Sequence, residues 1–403
     1  MSRARTSVLW VTEEPPDRAG GGGGLRQANL LIELSRRLEV DLLLAGRLRD
    51  DGVRAAVRSV VEVEVPPVGA RRAGDLFDLF VRRRPLSVGA ATAAVDALRG
   101  EVERRSASND VVVVNHASLF PLLSSVSGAC CVAHPHRVEE VGARQAAALA
   151  TTRRARSVWR AEARAHRRLH RSALASADAV LVCSDDDARL LAPATAHLPV
   201  VVAPNGVDLE RFQVGEPPGD QRVLFFGSLA FPPNRDGARW FVREVWPRVR
   251  ARVPGATLRV AGRGAPPEVI ALQQVPGVEV VGEVPDSATT YADADVVVVP
   301  LRIGTGTRLK ALEAMAAGRP VVGTTIGLEG LGLDELDADP DAAVRADDPT
   351  ALADEVVRAL EDSDHARRVA AAGRRHVEER FGWADLADHL ASALDDLAAR
   401  RPR

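Results

Sequence analysis

Short runs of aliphatic, β-branched residues recur along this chain, spaced to leave room for a helix between neighbours. SVLWVT (7–12), EVDLLLAG (39–46), DVVVVNH (110–116), ACCVAHPH (129–136) and ADAVLVCS (177–184) form a first series. Between the first two, RQANLLIELSRRL (26–38) places its apolar residues at helical spacing. Runs without polar alternation fit strands covered on both faces, as in a parallel sheet wrapped by helices. A Pro-Asn-Gly turn signal follows at 204–206, and a second series begins: RVLFFGSL (222–229), ATLRVAGRG (256–264), VEVVGEV (278–284), ADVVVVPL (294–301) and RPVVGTT (319–325). The expectation is α/β: two Rossmann-like, doubly wound domains, 1–202 and 203–380, facing each other across a cleft. An amphipathic helix, 381–403, should pack near the domain junction. A length of 403 residues suits two domains.

Composition narrows the function classes. A formal net charge of −2 argues against a general nucleic-acid binder. No apolar run approaches the roughly 20 residues of a spanning helix. MSRARTSVLWVTEE reads as a first strand rather than a signal peptide, because Glu13 and Glu14 follow the apolar run directly. Cys130, Cys131 and Cys183 offer no metal-ligand spacing, so a reduced, cytoplasmic protein is expected. The Ala- and Arg-rich composition hints at a high-GC bacterium. The charge is uneven, however. Residues 151–171, TTRRARSVWRAEARAHRRLHR, carry eight arginines against Glu162 alone. A basic helix of this kind fits either a solvated face or docking on anionic lipid or a phosphorylated acceptor.

The stretch GTGTRLKALEAMAAGRPVV (304–322) carries the strongest site signal. Gly304 and Gly306 let backbone approach a ligand closely where a strand hands over to a helix expected from Thr307. Free amides at such a helix mouth favour an anion such as a diphosphate, and Arg308 and Lys310 would add charge-assisted bonds. Glu313 could accept from a ribose diol. A strand–Gly–helix turn with a solvated Lys and Glu would look the same.

Two further signals lie in the first half. AGGGGGLRQ (19–27) could wrap a phosphate through Gly23, Gly24 and their neighbours, with Arg26 at the helix start. A dinucleotide fingerprint fails on spacing, since it demands Gly at Leu25 or Arg26, although Asp41 lies about twenty residues on. A flexible loop without ligand also fits. His134 and His136 follow the strand ACCV, and His116 ends another; a strand-end His is either a polar cap or a functional group.

Taken together, VVAPNGVD, VLFFGSLAFPPNRDGARWF, LRVAGRG and the segment 278–322 resemble the GT-B glycosyltransferases of family 4, over most of residues 200–330. PPDRAGGGGGLRQANLLIEL and AHPHRVEE match more loosely. The resemblance implies a nucleotide-sugar donor on the C-terminal domain, a hydroxyl acceptor on the N-terminal one, no metal ion or other cofactor, and transfer with retention. It puts Glu313 on the second Glu of the family's pair, with Thr305 in place of the first. It places Arg235, beyond Ser228, as a diphosphate cation and Arg263 near the base. His136 takes the family His position toward the donor sugar, with His134 and Arg137 on the acceptor side beside Arg26. A sugar-nucleotide epimerase and a silent nucleotide-sugar-binding protein remain as alternatives.

Overall fold

The computed structural model describes residues 5–65, 72–335 and 338–400, so the outermost residues assigned to the two chain ends (1–4 and 401–403) lie outside it. The chain divides into two compact units, 1–204 with 383–403, and 205–382. The boundary thus falls after Pro204, and the last helix is part of the first unit.

Among the described residues the first unit has seven strands: β1 (Ser7–Thr12), β2 (Glu39–Ala45), β3 (Ser59–Val63), β4 (Val111–Asn115), β5 (Cys130–His134), β6 (Ala179–Val182) and β7 (Val200–Val202). They pair in parallel in the order β3-β2-β1-β4-β5-β6-β7. β1 and β4 are buried along almost their whole length, which is why they read as unbroken apolar runs. One core lies under Leu9, Leu43, Val112, Val114 and Val180, sealed by Leu98, Phe120 and Leu174. The Trp383–Ala399 helix buries Leu386, Leu390 and Leu394 and packs on the Gly22–Leu34 helix, β4 and β7.

The second unit repeats the plan with six strands among the described residues: β8 (Arg222–Phe226), β9 (Thr257–Ala261), β10 (Val278–Gly282), β11 (Val296–Val299), β12 (Val321–Gly323) and β13 (Val344–Arg345), ordered β10-β9-β8-β11-β12-β13 and all parallel. The helical run expected at 234–253 exists as Pro232–Trp240, a π-helical turn Phe241–Val245, and Trp246–Arg252. The wide turn sits just before Pro247, whose ring lacks an N–H and crowds a regular α-turn.

In each unit the strand order reverses once, between β1 and β4 and between β8 and β11. Ligands of such sheets bind beyond the carboxyl ends of the strands at that reversal. The residues there are Glu13 to Gly24, His116, Gly227 and Gly304 to Lys310.

Candidate functional site

In the second unit, backbone geometry opens the strand ends. Gly227 and Gly262 hold φ of +150° and +146°. A Cβ on Gly262 would overlap the Gly227 carbonyl oxygen, and one on Gly227 would stand 2.6 Å from Lys310 Nζ. Only glycine permits this approach. Lys310 is drawn into the space, its Nζ donating to Asn234 Oδ1 at 2.7 Å and lying 4.8 Å from the Phe225 ring centroid. Burial, with the cation of Arg308 adding to it, brings the Lys310 ammonium down to about 7. Among the described residues no carboxylate comes within ion-pair distance of it. Glu313 offsets this lowering only in part and from beyond ion-pair distance, so the amine suits a site whose ligand brings an anion.

The helix mouth is narrower than the sequence suggests. The helix runs Leu309–Ala316, two residues later than expected, with Arg308 in the N-cap position. No side chain caps it among the described residues, leaving first-turn amides to another acceptor. Thr305, Gly306 and Thr307 are buried. Thr307 O accepts from Asn205 Nδ2 at 2.8 Å, and Gly330 packs against the Thr307 amide so closely that a Cβ would reach it at 3.0 Å. Gly304 and residues 308–310 keep partial exposure.

Arg308 differs from its expected part. Its guanidinium donates to Thr305 O at 2.6 Å and Ile326 O at 3.1 Å, and meets Glu329 at 3.4 Å. It therefore ties the loop together, and of the two cations expected here Lys310 is the one turned inward. Arg235 faces Glu268 at 4.0 Å, and its neighbour Asn234 touches Lys310 instead. Arg263 is exposed; its carbonyl takes the Leu229 amide at 2.8 Å. Glu313 is buried, with Oε2 accepting from Tyr291 Oη at 2.9 Å. Burial pushes its carboxyl up to about 7, against the lowering effect of that hydrogen bond. Tyr291, the chain's sole tyrosine, is fully buried between the edges of Phe212 and Phe226. It fixes the Glu313 rotamer.

In the first unit the glycine loop is already occupied. The Gly22–Leu34 helix begins inside the glycine run, and Gly24 N donates to Glu14 Oε1 at 3.0 Å. A side chain on Gly23 would overlap that carboxylate. The amide expected to hold a phosphate therefore holds Glu14, which would repel one. The dinucleotide reading also ends here. Asp41 is the third residue of β2, not its carboxyl end, and it binds Arg58 Nε at 3.0 Å and Ser59 Oγ at 2.6 Å.

Glu14 reaches onward to His116, with Oε2 3.2 Å from Nε2. His116 sits at φ +78°, a region that favours glycine, and such strain is retained where neighbours over-determine it. Its ring stacks on His136 with centroids 4.0 Å apart, and His134 lies 4.6 Å beyond His136. His136 Nε2 is 2.6 Å from Asn115 Oδ1. Burial, then the neighbouring His116, holds His136 well below the usual imidazole range, so it is neutral at pH 7 and can accept or donate a hydrogen bond but carries no charge.

Two acceptor-side expectations are corrected. Arg26 is 2% exposed and donates to Ala203 O at 2.6 Å and Pro204 O at 2.7 Å, strapping the end of the first unit. His134 is fully buried, with Nε2 3.8 Å from Cys183 Sγ, because it is the last residue of an interior strand. Arg137 remains half exposed, 3.9 Å from Glu139. Sequence reasoning missed Glu14, Asn115, Asn234 and Tyr291. Only Asn234, opening a helix after Pro-Pro, and Tyr291, as the lone tyrosine, carried a signal.

Two parallel α/β units, each with polar groups gathered at its strand reversal, define the GT-B class of two-domain transferases. The family described as Glycosyltransferase Family 4 matches residues 20–211, and Glycosyl transferases group 1 matches residues 220–362. The chain belongs to this family of GT-B glycosyltransferases. It is 30% identical over 239 residues to glycogen synthase of Mycobacterium tuberculosis, covering 56% of this chain and 55% of that protein, so it spans about half the length of that relative. It is 28% identical to D-inositol 3-phosphate glycosyltransferase of Geodermatophilus obscurus, over 99% of this chain and 92% of that one. Among solved structures, sucrose-phosphate synthase of Thermosynechococcus elongatus shares the fold, with a TM-score of 0.74 at 20% identity over 98% of this chain and 100% of that one.

Proposed function

We propose that the protein transfers a sugar from a nucleoside-diphosphate donor to a hydroxyl acceptor, with retention at the anomeric carbon and without a catalytic metal ion. The observation that carries this is Lys310, a half-buried amine with no carboxylate within ion-pair distance among the described residues, beside an uncapped helix start at the β8–β11 reversal. A diphosphate accepting from the Leu309 and Lys310 amides and from Lys310 Nζ would supply the missing negative charge. As the bond to the leaving group lengthens, negative charge grows on that diphosphate, and a preorganised cation lowers the barrier most there. Glu313, held by Tyr291, has one oxygen left for a ribose hydroxyl. His136, neutral and anchored on Asn115, is a candidate hydrogen-bonding group for a sugar hydroxyl at the first unit's strand ends, one that would not take a proton from it. Same-face attack asks for no protein nucleophile.

The acceptor is read as anionic. The Arg153–Leu174 helix and its neighbour line a groove of about 550 Å³ with Arg144, Arg156, Arg160, Arg164 and Arg167. A phosphate-bearing saccharide or an anionic membrane surface would match it.

A thermal-shift screen of nucleoside diphosphates and their sugar conjugates tests the donor half, since a ligand raises apparent stability with its affinity. At least one should raise the melting temperature in wild type and not in Lys310→Met. Proton NMR of the product with a cognate donor, in EDTA, then reads anomeric retention. If no nucleotide stabilises the protein, or if donor alone turns over to an epimer, the transferase reading falls.

A further inference from the structure

The first unit holds a second cluster that the transfer reaction does not use. Glu139 opens the Glu139–Leu149 helix, while His166 and His170 stand one turn apart on the Arg153–Leu174 helix packed against it. One nitrogen from each imidazole and one Glu139 oxygen all lie within 4.8 Å of one another. His166 is 6% exposed and His170 2%. His170 Nε2 approaches Glu139 Oε2 at 3.4 Å, too poorly aligned for a hydrogen bond. Four buried atoms here, Glu139 Oε2, His166 Nδ1 and both nitrogens of His170, have no hydrogen-bond partner. Buried polar atoms are seldom left so, and one nitrogen of each imidazole together with the Glu139 oxygen could share a single missing partner.

The geometry points to a divalent transition-metal site, Zn²⁺ by its donor set, formed by Glu139, His166 and His170. Two histidines at i and i+4 on one helix, completed by a carboxylate, are a donor set Zn²⁺ takes up with water or a fourth ligand. Tetrahedral ligands lie about 3.4 Å apart around zinc, so side-chain rotation alone would tighten the cluster. Glu162, 4% exposed, stands 3.4 Å from His166 Nε2, placed to orient that ring from behind or to supply the fourth ligand. The ion would pin the helix that follows His136 and Arg137 to the arginine-rich helix. It would be a structural ion, independent of the donor site on the second unit.

The test uses the full chain, stripped with EDTA and titrated with Co²⁺ while visible absorption is followed. Expected are d–d bands saturating at one ion per chain and displaced by Zn²⁺, and about one zinc per chain retained through gel filtration. The double variant His166→Gln/His170→Gln should lose at least thirtyfold in affinity. Should that variant fail to fold, Glu139→Gln replaces it, with at least tenfold weaker binding expected. A wild-type protein that shows no such bands and retains no zinc overturns the proposal. So does undiminished binding in either folded variant.

Discussion

Lys310 ties proton and nucleotide together. Its ammonium lies near 7, against an ordinary 10.5, because it is buried and faces Arg308. A bound diphosphate reverses that balance, since an anion beside the amine favours its charged form. Above pH 7 the free protein therefore carries mostly neutral lysine, about a tenth charged at pH 8 and a hundredth at pH 9, while the complex carries the ammonium. Binding must then take up a proton. The cost rises by about 1.4 kcal/mol per pH unit, a tenfold loss in affinity. The sign is fixed: affinity falls as pH climbs from 8 toward the pKa of the complex. Glu313, near 7, is about nine-tenths ionised at pH 8 and more so above it, and Tyr291, raised well above its ordinary 10 by burial and by Glu313, stays neutral. Neither contributes more than a small part of the slope. Calorimetry with UDP, ADP and GDP at pH 8.0 to 9.5, in two buffers of different ionisation heat, reads both affinity and protons. Wild type should weaken about thirtyfold over that range and take up nearly one proton per nucleotide. Lys310→Met should bind more weakly at pH 8 and show no slope. A wild-type affinity that stays level across the window, or a slope that survives in Lys310→Met, refutes the argument.

Other outcomes test the supporting frame. Gly262→Ala drives a methyl into the Gly227 carbonyl at a φ of +146° and should cost several kcal/mol, read as a denaturant midpoint shift with unchanged m-value. Tyr291→Phe removes the Glu313 hydrogen bond and should cost about 1–3 kcal/mol of stability by the same measurement, with weaker nucleotide binding alongside. Asp50 lies near 2, held down by hydrogen bonds from Arg18 and from backbone amides against the upward push of burial. Its contribution should be complete above pH 4 and fade as pH falls toward 2. Asp50→Asn, which keeps the helix cap but loses the charge, should flatten that part of an acid titration followed by circular dichroism. Arg156→Ala/Arg160→Ala/Arg164→Ala should lose retention on vesicles containing anionic lipid, in a salt-dependent way, without a change in melting temperature; equal retention would dismiss the arginine groove as an anionic docking face.

Most strands were legible because buried parallel strands need nothing but apolar side chains, and DVVVVNH or ADVVVVPL admits few other readings. Three strands were not. β3 carries Glu62 on a sheet edge, β7 has three residues, and β13 two, all too short or too polar for a periodic signal. At the site, glycine spacing located the strand ends but could not say which amides remain open. Glu14 shows why. A carboxylate ten residues before Gly24 fills the first helix mouth, and only the return path of the chain brings it there. Arg26 and Arg308 read as ligand cations because an arginine at a helix start looks the same whether it faces an anion or backbone carbonyls. Lys310 and Glu313 stood out by position, whereas Asn234 and Tyr291, which hold them, come from segments distant in sequence.

The first unit contains both the opening residues and the Trp383–Ala399 helix. During synthesis its sheet is complete by Val202, yet the apolar side of the Gly22–Leu34 helix waits for a cover translated some 180 residues later. The second unit has no such wait. A chain released at residue 382 would thus hold a finished downstream half and an upstream half with a sticky seam, and a chaperone would find its grip on the part made first.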